Sequence, residues 1–264
     1  MSNMRDPNLT FIVNAIKAVG GKMPTALSTA IDDQQRITAK VREVRQEAQG
    51  YGALAAAWAN AVLDERDPYE DRDVFRAVLS TALATGDIEY AAVVAVNQRA
   101  ITDVKKIHGD ILKTFKKAFD QAGRTLKNAH DILGNTNLED TTTIFQLGPV
   151  AVQAHQEAQE ARRLVRVIDR GWIGLNALTS FAGTSEAEHV TRWTDSNIDT
   201  WEKVRRLNDG WQMTVAGCDL NLAIDADTIR ERIERLARER EERAARHDAE
   251  ARPKRVNYIT GVVH

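Results

Sequence analysis

The fold is decided by one long stretch, residues 87–133, which reads DIEYAAVVAVNQRAITDVKKIHGDILKTFKKAFDQAGRTLKNAHDIL. When successive residues are placed about 100° apart around a helix axis, one side of this stretch is almost entirely apolar. The stripe passes Gly123 without a shift, so we predict a single long helix that packs along much of its length. Its members are Ile101, Val104, Ile107, His108, Ile111, Leu112, Phe115, Phe119, Ala122, Leu126, Ala129 and Leu133.

The opposite side of the same predicted helix is basic. Between Arg99 and Lys127 there are eight basic and three acidic residues, a local excess in a chain whose net charge is −2. Such a row could contact the phosphates of a nucleic acid, whereas charged helix faces are more often solvated or paired with acids. The candidate nucleic-acid face consists of Lys105, Lys106, Lys113, Lys116, Lys117, Arg124 and Lys127.

Two further segments carry apolar residues at alternating four- and three-residue spacing, which is typical of helices that pack along a seam. The first seam contains Ala30, Gln34, Ile37, Val41, Val44 and Ala48, and the second contains Ala158, Ala161, Val165, Ile168, Trp172 and Leu175. The second seam includes Gly171 and Gly174. Glycine destabilises a helix by roughly 1 kcal/mol relative to alanine. We therefore expect another helix to approach closely at these two glycines.

Composition and helix-start signals agree with a helical protein. The chain has only five prolines in 264 residues and few alternating β-branched runs. Asp6-Pro7 and Asp67-Pro68 each offer an N-cap followed by proline at the first helical position. Gly86-Asp87 reads as the end of one helix and the start of the next. We predict an all-α protein with seven or eight helices, arranged as an elongated antiparallel helical bundle with long heptad-patterned helices.

The predicted bundle divides into three regions. Residues 1–134 form an N-terminal helical bundle, and residues 135–222 form a helical hairpin region that could belong to the same domain. Residues 223–264 form a charged helix followed by a docking tail.

The C-terminal region changes character along its length. After Ile229, Ile233 and Leu236, the next heptad positions are the arginines 240 and 243, so the apolar seam stops. Acid and arginine pairs at i,i+4 then support the helix, each by about 0.2 to 0.5 kcal/mol. We predict a charged helix that projects into solvent. Pro253 ends it, and the strand-like stretch VNYITGVVH follows at residues 256–264.

An isolated strand leaves its backbone groups unpaired, and a helical bundle has no sheet edge to receive it. We therefore interpret the tail as a docking peptide that pairs with another subunit or with a different protein by strand addition. A frayed, loosely packed terminus is the alternative. The partner-binding residues are Val256, Tyr258, Ile259, Val262 and Val263.

Four of the five tryptophans lie between Trp172 and Trp211. Trp193, Trp201 and Trp211 fall roughly on one face if this region is a helix. Such a stripe is usually core, but tryptophan also concentrates binding energy in protein interfaces. The three residues are therefore a candidate aromatic anchor for a partner.

His130 is the centre of the two enzyme alternatives. His108 with His130-Asp131 and His247-Asp248 resembles the ligand set of metal phosphohydrolases of the HD type. Arg124 with His130 is similar to the Arg-x4-6-His motif of HEPN ribonucleases. On one continuous helix, however, His108 and His130 are about 33 Å apart, and Arg124 points about 120° away from His130. We predict no metal and no cofactor, and a catalytic pair at His130 stays an alternative.

Bulk features limit the location of the protein. The most apolar run, GALAAAWANAVL at residues 52–63, is shorter than the roughly 20 residues that span a bilayer and is interpreted as a buried helix. The N-terminus lacks an apolar signal core, and the single cysteine, Cys218, suits a reducing compartment. We expect no membrane partner, and a cytoplasmic protein or one incorporated in an intracellularly assembled particle.

These patterns favour a non-enzymatic helical assembly or adaptor protein that associates with itself or with another protein through its helical seams and its tail. A subunit of a larger particle is one form of this function. The alternatives are a nucleic-acid-binding protein that uses the basic face, and a helical nuclease or phosphohydrolase centred on His130.

Overall fold

The structure, a computed structural model, describes residues 6–47, 51–85, 87–182 and 189–251. The all-α prediction is confirmed: the regular elements in these ranges are helices, and Thr194 and Leu220 form an isolated antiparallel bridge. The helices are α1 (Pro7–Ala18), α2 (Thr25–Glu47), α3 (Tyr51–Leu63), α4 (Arg72–Thr85), α5 (Asp87–Leu133), α6 (Thr141–Gln146), α7 (Pro149–Thr179), α8 (His189–Trp193), α9 (Ile198–Val204), α10 (Gly210–Val215) and α11 (Ala226–Ala251).

One predicted helix start is confirmed and the other is wrong. The Asp6 side chain accepts hydrogen bonds from the N–H groups of Asn8 and Leu9, with Pro7 as the first residue of α1. Asp67-Pro68 begins only a turn. The next helix starts later because the Asp71 carboxylate accepts from the N–H groups of the residues two and three positions on, which caps α4.

Helix α5 is continuous through Gly123, as the unbroken apolar stripe predicts. Phe115 and Phe119 are fully buried, and so are Val104 and Leu126. A Cβ atom on Gly123 would lie 2.9 Å from both the Cβ and the carbonyl oxygen of Leu220. The glycine therefore permits a close contact with the segment after α10 rather than a break in the helix.

The seam of α7 is buried at all six predicted positions, from Ala158 to Leu175. The expected close approach at its glycines is also present. A Cβ atom on Gly171 would lie 2.4 Å from the Cβ of Ala15, and one on Gly174 would lie 2.7 Å from the carbonyl oxygen of Asn8. Helix α1 is therefore the helix that packs closely against α7 at these two glycines.

The described residues form two compact units, one within the ranges Met1–Phe115 and Val167–Ser180, and one within the ranges Lys116–Arg166 and Phe181–His264. This division differs from the predicted boundaries at 134/135 and 222/223. At about 1.5 Å per residue, α5 alone is roughly 70 Å long. A helix of that length exceeds the core of one small unit, so α5 and α7 each contribute to both.

The core of the first unit is built on α1, whose Leu9, Ile12 and Ile16 are buried. The α2 seam contributes Ala30, Gln34 and Val41, which are buried, as the four-three spacing predicts. Ile37 on the same seam is partly buried, and Val44 and Ala48 lie outside the residues whose side chains are described.

In the second unit the described residues between Phe181 and Leu222, which leave out 183–188, form three short helices rather than one. Asn197 caps α9 through the N–H of Thr200, and Asp209 caps α10 through those of Trp211 and Gln212. Each cap starts a new helix, so the helical periodicity that relates the tryptophans in sequence does not continue. Short helices of this kind also raise the number of described helices above the predicted seven or eight.

Asp209 is a buried carboxylate of the second unit with several hydrogen-bond partners. It is buried, accepts from Nε of Arg162 at 2.6 Å and is also bonded to Arg166. Burial by itself raises the pKa of Asp209, but hydrogen bonds from Arg162 and from the Gln212 N–H outweigh it, so the pKa is lowered. Asp209 therefore ties α7 to the start of α10.

Helix α11 packs against α8 and α9, and its residues from 240 to 249 are exposed. Arg232 is buried and donates to the carbonyl oxygens of Thr191 and Asn221, at 2.9 and 3.1 Å. Arg243 pairs with Glu202 at 2.7 Å rather than with its i,i+4 neighbour. Residues 241–249 are all exposed, as the prediction of a projecting charged helix requires, but the helix is held to α9 as far as Arg243.

None of the described helices is both long enough and apolar enough to cross a lipid bilayer.

Candidate interaction surface

Helix α3 contradicts the expectation of a buried helix. Tyr51–Leu63 contains no charged residue, yet Ala61 is the one buried side chain among those described in this helix. Trp58, Val62 and Leu63 are exposed, with Leu63 exposed to 79%. An uncharged helix that a single chain leaves open in this way is unusual, because apolar helices are normally covered.

Helix α4 adds a second exposed apolar row beside α3. Val74 is buried, but Phe75, Val78 and Leu79 are exposed, and Phe75 is exposed to 69%. Spacings of three and four residues place these three side chains on one face of α4. Helices α3 and α4 pack against each other. We define the α3–α4 surface as Trp58, Val62, Leu63, Phe75, Val78 and Leu79.

The loop between the two helices is held by charges. Arg66 donates to Asp64 at 3.0 Å and to Asp71 across the loop. The N–H of Val74 donates to Asp71, and this hydrogen bond lowers the pKa of the Asp71 carboxyl. The ring of Tyr69 packs edge-on against Trp58, with 5.3 Å between the ring centroids. The hairpin is therefore preorganised before any partner binds.

The candidate nucleic-acid face is largely paired with acids. In the first unit, Lys106 pairs with Asp103 at 2.8 Å and Lys113 with Asp110 at 3.4 Å, and Lys105 is exposed. These pairs lower the positive potential that a phosphate backbone would meet.

The same holds for the part of this face in the second unit. Lys116 pairs with Asp120 at 3.0 Å and also donates to the Leu222 carbonyl oxygen. Lys127 pairs with Asp219 at 2.7 Å, which raises the pKa of the lysine. Arg124 donates to Gln121, and Lys117 is exposed.

The three tryptophans of the candidate anchor are all more than nine-tenths buried. Trp193 packs against Phe119, and Trp211 donates from Nε1 to the Thr136 carbonyl oxygen at 3.2 Å. They belong to the core, which was the alternative interpretation, and do not form an exposed anchor. Trp201 differs from the other two because two arginines lie against its ring.

The structure does not bring the residues of the enzyme alternatives together. His130 contacts Asn135 at 3.1 Å and the ring of Trp211. Arg124 instead donates to Gln121, which lies one turn before Arg124 on α5. The His108 ring bonds to the Lys105 carbonyl oxygen. Within the described ranges, no group of three or more His, Cys, Asp or Glu side chains is arranged to hold a metal ion.

The predicted tail residues, Val256 to Val263, lie outside the described residues. The composition of α3 led to the wrong prediction of a buried helix. An uncharged run indicates burial, but it does not indicate whether the same chain or another one covers it. No protein-family model, curated protein or solved structure matches this chain.

Proposed function

We propose that this chain is a non-enzymatic helical assembly protein whose copies associate through the α3–α4 surface, and that its C-terminal segment, residues 256–263, docks a partner. It would act in the cytoplasm or in a particle assembled inside the cell. The observation that carries this proposal is the exposure of α3, an uncharged helix with one buried side chain among those described. Covering such a surface is favourable by about 25 cal/mol per Å².

A second copy is the partner that fits this surface best. An uncharged patch is complementary to itself in a twofold contact, because the symmetry brings no like charges together. Along α3 the exposed residues alternate in size, with small Ala55 and Ala59 beside large Trp58 and Val62. Large side chains of one copy can therefore fill the hollows over the alanines of the other.

The test is the solution mass, measured by light scattering over a wide range of protein concentration in high salt, where ionic contacts between copies are screened. We expect the wild type to have at least twice the chain mass. The variant Phe75→Asp should have the chain mass, because burying a carboxylate lowers the association constant at least about a hundredfold. The matched control is Phe145→Asp in the second unit, since Phe145 and Phe75 are both 69% exposed.

A wild type that keeps the mass of one chain at every concentration would contradict the proposal. So would equal changes of the solution mass in Phe75→Asp and Phe145→Asp. Circular dichroism and thermal unfolding should show that both variants are folded.

A chain that ends at Arg252 tests the tail separately. We expect it to keep the mass set by the α3–α4 surface and to lose any larger species. If the full and shortened chains have the same mass at every concentration, the tail takes no part in self-assembly.

A further inference from the structure

A groove between α9 and α11 carries positive charge that the described chain does not neutralise. Its volume is about 440 Å³, and Trp201, Ile233, Leu236 and Ala237 form its apolar part. Arg205 and Arg240 line it as well. Their guanidinium carbons lie 5.5 and 5.3 Å from the centroid of the same Trp201 ring. The groove thus combines an apolar floor with two cations.

These two arginines differ from others on the same pair of helices. Arg235 pairs with Asp195, and Arg243 pairs with Glu202. Arg205 and Arg240 are exposed, and neither has a carboxylate within salt-bridge distance among the described residues. Cation–π contacts with Trp201 hold them in place without neutralising them. The ligand chemistry that completes this groove is an apolar group flanked by carboxylates, which match the planar forks of arginine.

A protein segment fits the groove better than a nucleic acid does. Trp201 is only 7% exposed, so a base has no free ring on which to stack. A protein segment needs no free ring face, because its apolar side chain can pack against Ile233, Leu236 and Ala237 in the groove.

The chain itself contains a segment of this chemistry in the loop between α3 and α4. Asp64–Asp71 has five acids and one arginine. Its Tyr69 is 85% exposed and lies between Asp67 and Glu70, which are both exposed. The loop is braced by Arg66 and by the hydrogen bond from the Tyr69 N–H to Asp67 at 2.9 Å. It therefore presents an aromatic ring between two carboxylates without further ordering.

We propose that Tyr69 of one copy inserts into the Trp201 groove of a second copy, with Asp67 and Glu70 paired to Arg205 and Arg240. This inference rests on the proposed self-association and adds a second contact to it. The two surfaces involved are different, so the contact is heterologous and can extend an assembly beyond a dimer.

The experiment uses two charge-reversed chains, both carrying Phe75→Asp so that the α3–α4 surface is inactive. The groove chain has Arg205→Glu with Arg240→Glu, and the loop chain has Asp67→Arg with Glu70→Arg. Sedimentation at low ionic strength should show self-association of the Phe75→Asp parent and about tenfold or greater weakening in each reversed chain alone. A 1:1 mixture should form mixed complexes of two or more chains, because the reversed loop meets the reversed groove and the unchanged loop meets the unchanged groove.

The control chain has Arg206→Glu with Arg238→Glu, which reverses two exposed arginines near the groove that do not line it. It should associate like the parent. The inference is overturned if the parent does not associate, if the reversed chains associate like the parent, or if their mixture stays monomeric. Failure of the α3–α4 surface gives a different result. In high salt, where ionic contacts are screened, the solution mass of the wild type would then be no larger than that of the Phe75→Asp parent.

Discussion

Gly171 of α7 and Ala15 of α1 are in such close contact that a Cβ atom on the glycine would lie 2.4 Å from the alanine Cβ. The ring of Phe115 would lie 3.0 Å from the same added atom. This packing explains why a glycine interrupts an otherwise regular seam, and it connects the sequence of α7 directly to the core of the first unit.

Replacing this glycine should therefore destabilise the protein. We expect Gly171→Ala to lower the free energy of unfolding by about 1 to 3 kcal/mol, because the methyl group forces two helices apart. Gly109→Ala is the matched control, since Gly109 is also helical but an added Cβ there meets no atom within 4 Å. Its higher helix propensity should raise the free energy of unfolding by up to about 1 kcal/mol. Urea unfolding of both variants checks the opposite signs.

Asp209 should make stability depend on pH in the acid range. Its pKa is lower in the folded chain than in the unfolded chain, so its contribution is fully present above the unfolded pKa of about 4. The contribution is lost as the pH falls through the lower, folded value. Unfolding measured from neutral to acid pH should show this decline in the wild type.

The variant Asp209→Asn isolates that contribution, because an amide oxygen can still accept the capping hydrogen bonds. We expect a loss of about 2 to 3 kcal/mol at neutral pH, since the bonds from Arg162 and Arg166 lose their charged acceptor. The variant should also lose less stability than the wild type on acidification. Asp227→Asn, which removes an exposed partner of Arg230, should change stability by less than about 0.5 kcal/mol. An equal effect of the two substitutions would contradict the assigned role of Asp209.

The ion pairs of the basic face lead to a prediction about nucleic acids. We expect a labelled single-stranded oligonucleotide to bind no more tightly than about 10⁻⁶ M at physiological salt, the range of non-specific binding. Fluorescence anisotropy at several salt concentrations measures this directly. Tighter binding that weakens steeply with salt, and that is lost in Lys105→Glu with Lys117→Glu, would restore the nucleic-acid alternative.

Sequence periodicity predicted the long helices well because their seams are buried within the chain. The apolar side of α5 and the six seam positions of α7 follow directly from helical geometry, and the contact at Gly171 was expected for the same reason. The start of α4 was predicted wrongly because Asp67 and Asp71 are both suitable N-caps in the sequence. Only the conformation of the folded loop makes Asp71 the cap.

Two other features could not be obtained from periodicity. The tryptophans seemed to share a face only if one helix joined them, whereas separate caps at Asn197 and Asp209 start separate helices. The composition of α3 predicts a buried helix, but burial within one chain and burial against another chain give the same sequence pattern. The groove at Trp201 was missed because it depends on which arginines find acids in three dimensions.

The central claim, that copies meet through the α3–α4 surface, is tested most directly by cross-linking a single introduced cysteine. Cys218 is buried, and burial raises the pKa of its thiol, so it should not react. Leu79→Cys places a thiol on the surface, and Leu147→Cys places one at an exposed leucine elsewhere. A short bismaleimide should convert the first variant, but not the second, to covalent dimers. Equal yields from both variants, or no dimers from Leu79→Cys, would contradict the claim.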